Sequence, residues 1–142
     1  MSAFEIIPRV WFGAAEHTFN PEFMLSITHI VNCDDSPHST NIWARSGRQF
    51  LHLPCEDNHI FPILQTYSDQ LFEYIERALE SPDSRIYVHC YMGLNRSAVL
   101  AIAYAARRTN TPAVTIIACI RAEQRPILTN PMFEAQLLHT YL

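Results

Sequence analysis

Residues 86–108 constrain the fold more tightly than any other stretch of this 142-residue chain. A β-prone apolar run, Ile86-Tyr87-Val88, predicts a strand over residues 85–89. A short loop then leads into residues 97–108, which read as a helix apolar on nearly every side. A helix without a polar face has to be covered all round, so it belongs in the middle of the molecule. At this length one domain is expected, residues 1–142, able to bury roughly 68–70% of its unfolded surface without a disulfide or a metal.

The other elements are then expected to wrap this central helix. Residues 9–12, 29–33 and 49–53 read as further strands. Residues 63–79 place Leu64, Tyr67, Leu71, Ile75 and Ala78 on one helical face. Thr111-Pro112 and Asn130-Pro131 each look like an N-cap followed by a proline at the first helical position, and so open two more helices. Residues 34–48 are polar and turn-rich, with Pro37 and Gly47, and are expected to form a loop. Alternating strands and helices followed by a helix-rich C-terminal half predict an α/β domain around one sheet.

Composition narrows the partners. The formal net charge is −4, and all ten basic residues are arginine. No global basic field exists to hold nucleic acid or an anionic membrane, so neither is an expected partner. At 49% hydrophobic and 17% charged the chain is not disordered. Residues 98–106, the longest apolar run, are too few to span a bilayer, and residues 1–8 lack the basic start of a secretory signal. Cys33, Cys55, Cys90 and Cys119 form no Cys-x-x-Cys pair, which predicts reduced thiols and a cytoplasmic location. Cys33 and Cys119 are expected to pack as small hydrophobes, and Cys55 to pack rather than to act as a redox partner. His52, His59 and Cys55 lack paired ligand spacing, so no metal and no cofactor are expected. Arg45 and Arg48 read as part of a solvated loop, Trp43 has no assigned role, and no oligomeric state follows from the sequence.

Chemistry concentrates where the strand meets the helix, at His89-Cys90-Tyr91-Met92-Gly93-Leu94-Asn95-Arg96-Ser97. A cysteine six positions before an arginine arises by chance with probability roughly 0.3; adding His89, Gly93 and Ser97 lowers this to the order of 10⁻⁵. A loop that opens a helix aims successive backbone N–H groups at one point and adds the positive end of the helix dipole. Such a nest suits a phosphate monoester dianion. Gly93 permits a tight turn and close approach of its amide, and the planar fork of Arg96 matches two phosphate oxygens. Cys90 shares that field, which favours its thiolate. His89, Tyr91, Met92, Gly93, Leu94, Asn95 and Arg96 are therefore the expected phosphate-binding residues.

This segment resembles the His-Cys-x5-Arg-Ser/Thr signature of the cysteine-dependent protein phosphatases, and among them the compact dual-specificity branch. Residues 7–13 and 27–33 are similar to the family's first two strands, and residues 125–130 with Phe133, Gln136 and Leu137 to its closing segment. The resemblance implies a protein tyrosine phosphatase-like fold, a central mixed sheet flanked by helices, with a shallow pocket. It departs from the commonest pattern at Met92, where a small residue is usual, and at Asn95, where serine is usual. Asparagine there also occurs in poxvirus dual-specificity phosphatases and in some RNA 5′-phosphatases of the superfamily.

The resemblance also implies roles. Cys90 would be the nucleophile, Arg96 the phosphate ligand, and Ser97 a hydrogen-bond donor to the departing sulfur. Residues 53–58 resemble the acid loop, with Asp57 as general acid and Glu56 as its nearest competitor. His89 would hold the loop from beneath. The expected activity is hydrolysis of phosphotyrosine and phosphoserine/threonine in protein substrates through a cysteinyl phosphate. An RNA 5′-phosphatase is favoured by Asn95 and opposed by the acidic balance. A phosphoinositide phosphatase is opposed by the uncharged Tyr91, Met92, Leu94 and Asn95. A phosphoprotein-binding pseudophosphatase is opposed by the presence of Cys90, Arg96 and Asp57 together.

Overall fold

Five strands form one mixed sheet in the computed structural model, which describes residues 1–36 and 46–142. Strands β1 (Phe4–Ile7) and β2 (Val10–Ala14) make an antiparallel hairpin. Strands β3 (His29–Asn32), β4 (Gln49–His52) and β5 (Ile86–Cys90) run parallel to β2 in the order β1-β2-β5-β3-β4. Central β5 is buried at all five positions, its apolar run Ile86-Tyr87-Val88 followed by the buried His89 and Cys90, as befits the middle strand of a parallel sheet.

The helices are α1 (Pro21–Met24), α2 (Ile63–Leu79), α3 (Arg96–Thr109), α4 (Ala113–Ala122) and α5 (Pro131–Thr140). Helix α3 is the buried one: every residue from Ser97 to Ala106 is enclosed. It packs against β2 and β5 and is surrounded by α2, α4 and α5. Helix α2 turns Leu64, Leu71, Ile75 and Ala78 inward, as its 3.6-residue period predicts, while Tyr67 stays partly buried. On the second face, α1 and its flanks cover the sheet with Met24, Ile27 and Phe23 against Ile30 and Tyr87. The mixed sheet with helices on both sides matches the expected architecture. No helix among the described residues is long and apolar enough to cross a membrane.

Several local features differ from expectation. Strand β1 is unanticipated because four residues followed by Pro8 carry little periodic signal. The hairpin then turns at Arg9 with φ 74°, a conformation that turn rules assign to Gly or Asn. Arg9 holds it through its side chain, whose guanidinium donates to the carbonyls of Leu79, Ser81, Pro82 and Ser84 at 2.9–3.3 Å, where α2 ends. Helix α1 was also not foreseen, although Asn20-Pro21 has the same form as Asn130-Pro131: Asn20 Oδ1 accepts from the amides of Glu22 and Phe23. At α4 the expected Thr111 cap is wrong. Pro112 holds the N-cap position with no side-chain bond, and the Ala113 amide donates instead to Tyr141 O at 2.9 Å. Cys119 is exposed rather than packed, since it faces outward from α4. Arg48 is not simply solvated: it donates to Ile27 O and Met24 O and ties the end of the loop to α1. Pro37, Trp43 and Arg45, with the central part of the expected loop, lie outside the described residues.

Candidate active site

Cys90 ends β5 beside Ala14, the last residue of β2, and is 2% exposed. The next residues form a loop that presses back on β2. Gly93 adopts φ +74°, and a Cβ there would fall 2.5 Å from Gly13 C and 2.6 Å from Ala14 N. Only glycine fits this turn. It brings the Gly93 N–H to Cys90 Sγ at 3.3 Å. Ser97 Oγ, in the first turn of α3, is 3.2 Å from the same sulfur and also 3.2 Å from Gly13 O, to which it donates. A serine hydroxyl has one proton, so it serves the carbonyl when the sulfur is protonated and can turn to the sulfur when it is anionic.

Helix α3 begins without a side-chain cap, because Asn95 spends its amide elsewhere. The first-turn N–H groups and the positive dipole end are thus left facing the loop, an anion-binding arrangement. Arg96 lies partly buried beside it. Its Nη1 donates to Asp34 Oδ1 and to Cys55 O, each at 3.1 Å, and lies 3.8 Å from Asp35 Oδ1. Its Nε is buried with no hydrogen-bond partner among the described residues. One end of the guanidinium is therefore anchored while the Nε edge keeps a donor for an anion. Asp34 fixes that geometry, yet it reads in the sequence only as the first residue of a polar, turn-rich loop. The sequence shows an acidic residue after the strand read over residues 29–33, but not the pairing of that strand with β5 that brings it to Arg96.

Beneath the loop, His89 is buried with Nδ1 3.4 Å from Cys90 O and its ring stacked on Tyr87 at 5.7 Å. Tyr87 donates its hydroxyl to Ala14 O at 2.6 Å, in space left by the missing Cβ of Gly13. Burial, with Cys90 nearby adding to it, pushes the Tyr87 phenol far above its ordinary range, so it acts as a neutral donor. The Cys33 thiol is likewise pushed well up, first by its hydrogen bond with Cys55 and then by burial, consistent with a packing role. Cys55 Sγ donates to Leu53 O. The side chains of Tyr91 and Met92 point to solvent, 62% and 61% exposed, so these residues can offer the cradle only backbone.

Asp57 is held to the loop by two amides. Asn95 Nδ2 donates to Asp57 Oδ2 at 3.1 Å and to Thr129 Oγ1 at 2.9 Å. Asn130 Nδ2 donates to Asp57 Oδ1 at 2.9 Å and to Asn58 O at 2.8 Å. Asn95 Oδ1 closes the network by accepting the Asn130 N–H at 2.9 Å. Asn95 therefore contacts the acid loop with its side chain and leaves only its backbone for phosphate. Leu128, at φ 58°, donates its N–H to Leu94 O and sets Thr129 and Asn130 in place. A non-glycine residue in that region is strained, and strain of this kind collects at functional sites. Glu56, the competing acid, accepts from Asn58 at 3.2 Å. Asn130 was expected only as a helix cap; it caps α5 with Oδ1 and holds Asp57 with Nδ2. Among the described residues, no group of three or more His, Cys, Asp and Glu side chains is placed to hold a metal.

A family model described as "Dual specificity phosphatase, catalytic domain" matches residues 10–141. Human Dual specificity protein phosphatase 13B is 31% identical over 139 residues, covering 94% of this chain and 69% of the relative. Bovine Dual specificity protein phosphatase 26 is 30% identical over 138 residues, covering 94% of this chain and 64% of the relative. The crystal structure of human DUSP28 superposes with a TM-score of 0.82 at 19% identity, covering 98% of this chain and 92% of that one.

Proposed function

The chain belongs to the dual specificity phosphatase catalytic-domain family, and on that premise we propose that Cys90, Arg96, Ser97 and Asp57 hydrolyse phosphotyrosine and phosphoserine/threonine in proteins by way of a cysteinyl phosphate. The observation that carries this reading is the setting of Cys90 Sγ. It receives the Gly93 N–H just before the uncapped start of α3, with Ser97 Oγ at 3.2 Å, and α3 opens with Arg96, whose Nε has no hydrogen-bond partner among the described residues.

In the first step Sγ attacks phosphorus and the phosphorus–oxygen ester bond breaks. Asp57 supplies a proton to the departing oxygen, because a phenoxide or alkoxide leaves poorly without one. Backbone amides of residues 91–96 and Arg96 hold the equatorial oxygens as charge spreads over them. In the second step Asp57, now a carboxylate, takes a proton from water, whose oxygen attacks the phosphoryl group. The sulfur–phosphorus bond breaks, and Ser97 turns its proton toward the departing thiolate. Asn95 and Asn130 hold Asp57 over the loop through both steps.

Asp57→Asn tests the assignment. An asparagine keeps the shape of the acid and removes its proton. Turnover of an alkyl phosphate should fall roughly 10²-fold, and that of an aryl phosphate with an acidic leaving group much less. The basic limb of the pH–rate profile should flatten as well. An unchanged limb and equal losses on both substrates would assign the proton to Glu56 or to no side chain.

A further inference from the structure

A cleft of about 550 Å³ lies between the catalytic loop and the segment that follows β2, and shares no residue with the hollow around Asp57. Tyr91, Met92 and Leu94 form one wall; Ala15, Glu16 and Phe19 form the other. The walls are tied together where the Ala15 N–H donates to Tyr91 O at 3.1 Å. Phe19, Tyr91, Met92 and Met1 are 67%, 62%, 61% and 61% exposed, so four large apolar side chains face solvent around one opening. Apolar surface gathered this way beside a reactive centre gains free energy when a ligand covers it.

The charges on the cleft do not gather into an anion site, whereas its apolar surface is contiguous. Two charged residues line it, Glu16 and Arg125. The Arg125 guanidinium is turned toward the apolar wall: it lies 5.3 Å over the Phe4 ring and 6.0 Å over Phe12, and it donates to Ser2 O. Glu16 repels an anion.

We propose that this cleft is a specificity subsite that takes one large apolar side chain of the substrate, from a residue within three positions of the phosphorylated one. The inference rests on the phosphatase reading. Its occupant follows from continuity: the backbone of Tyr91, Met92, Gly93 and Leu94 belongs to the phosphate cradle, and the same residues wall the cleft. A chain that delivers a phosphate to Cys90 passes over the cleft mouth, and three extended residues reach about 10 Å. One apolar group well seated in a pocket is worth roughly tenfold in kcat/KM.

The experiment compares phosphotyrosine peptides that differ at a single flanking position, scanned from three residues before to three after. That position carries leucine, phenylalanine, alanine, aspartate or a second phosphoresidue, and a small aryl phosphate serves as a substrate that does not reach the cleft. The expected result is a preference of about tenfold for leucine or phenylalanine over alanine at one position, seen mainly in KM. Phe19→Ser should reduce that preference to within about twofold and Phe19→Leu should keep it, while both leave kcat/KM for the aryl phosphate unchanged. Equal rates for all flanks, or a preference for the doubly phosphorylated peptide, would overturn the subsite with the phosphatase reading intact. No turnover of the aryl phosphate by the unaltered protein would overturn both.

Discussion

A methyl group at Gly93 would meet the backbone of β2 at 2.5 Å, and the residue also holds φ +74°. Both demands fall on one position, and neither neighbour is a flexible side chain that can move aside. Gly93→Ala should therefore push the loop off β2 and lengthen the Gly93 N–H to Cys90 Sγ contact. A misplacement of about 1 Å in a catalytic loop costs on the order of 10²-fold, so kcat/KM on an aryl phosphate should drop by that factor. Circular dichroism and a urea titration would show whether the fold persists. Activity within a few-fold of the unaltered protein would mean that the tight contact does not set the position of the sulfur. Gly93 was legible in the sequence because its reason is local, a turn between a strand and a helix. Asp34 was not, since its partner Arg96 is 62 residues away and the two meet only through the pairing of β3 with β5. Asn130 was half legible: a cap is a neighbour effect, whereas its grip on Asp57 spans 73 residues.

Among the elements, the β1–β2 hairpin and α2 are joined by Arg9. Its left-handed backbone costs a non-glycine residue roughly 1–2 kcal/mol, while each of its four bonds to carbonyls at the end of α2 returns roughly 0.5–1.5 kcal/mol. The bonds win, so Arg9→Gly should lower stability by about 1–3 kcal/mol, read as a lower urea midpoint with an unchanged slope. A higher midpoint would mean that backbone strain outweighs the bonds. Strand β3 carries a pH effect at its first residue. Burial lowers the His29 pKa from 6.5, and the ring is fixed between Thr28 Oγ1 at 2.7 Å and the edge of Tyr74. Below pH 6.5 the unfolded chain takes up a proton that the folded His29 resists, so stability falls on acidification through that value and levels off beneath the folded pKa. His29→Gln should narrow the difference in urea midpoint between pH 7.5 and pH 5.5. An equal fall in both proteins would assign the acid sensitivity to other groups. The strands and long helices were legible because burial imposes their periods. Strand β1 and helix α1 have four residues each, too short for a period to show, and Thr111 failed as a cap because the Tyr141 carbonyl met the Ala113 amide first.

Across the whole molecule, one buried helix carries the proposed chemistry. Helix α3 is enclosed from Ser97 to Ala106, so its N-terminus cannot shift without disturbing the core, and the loop that precedes it inherits that rigidity. The acid loop, the closing segment at residues 128–130 and the segment that follows β3 each reach this point from a different part of the chain. The proposed cradle would hold phosphate with or without a working nucleophile, so binding alone cannot distinguish a catalyst from a phosphate-binding domain. Turnover by the unaltered protein that is lost in Cys90→Ser does distinguish them. A serine hydroxyl keeps nearly the same size but is not ionised in the same field. The decisive measurement is kcat on an aryl phosphate of the unaltered protein and of Cys90→Ser, with folding verified by the urea midpoint. The predicted result is phosphate binding retained and turnover below about one part in a thousand, while residual activity above that level would place the nucleophile elsewhere.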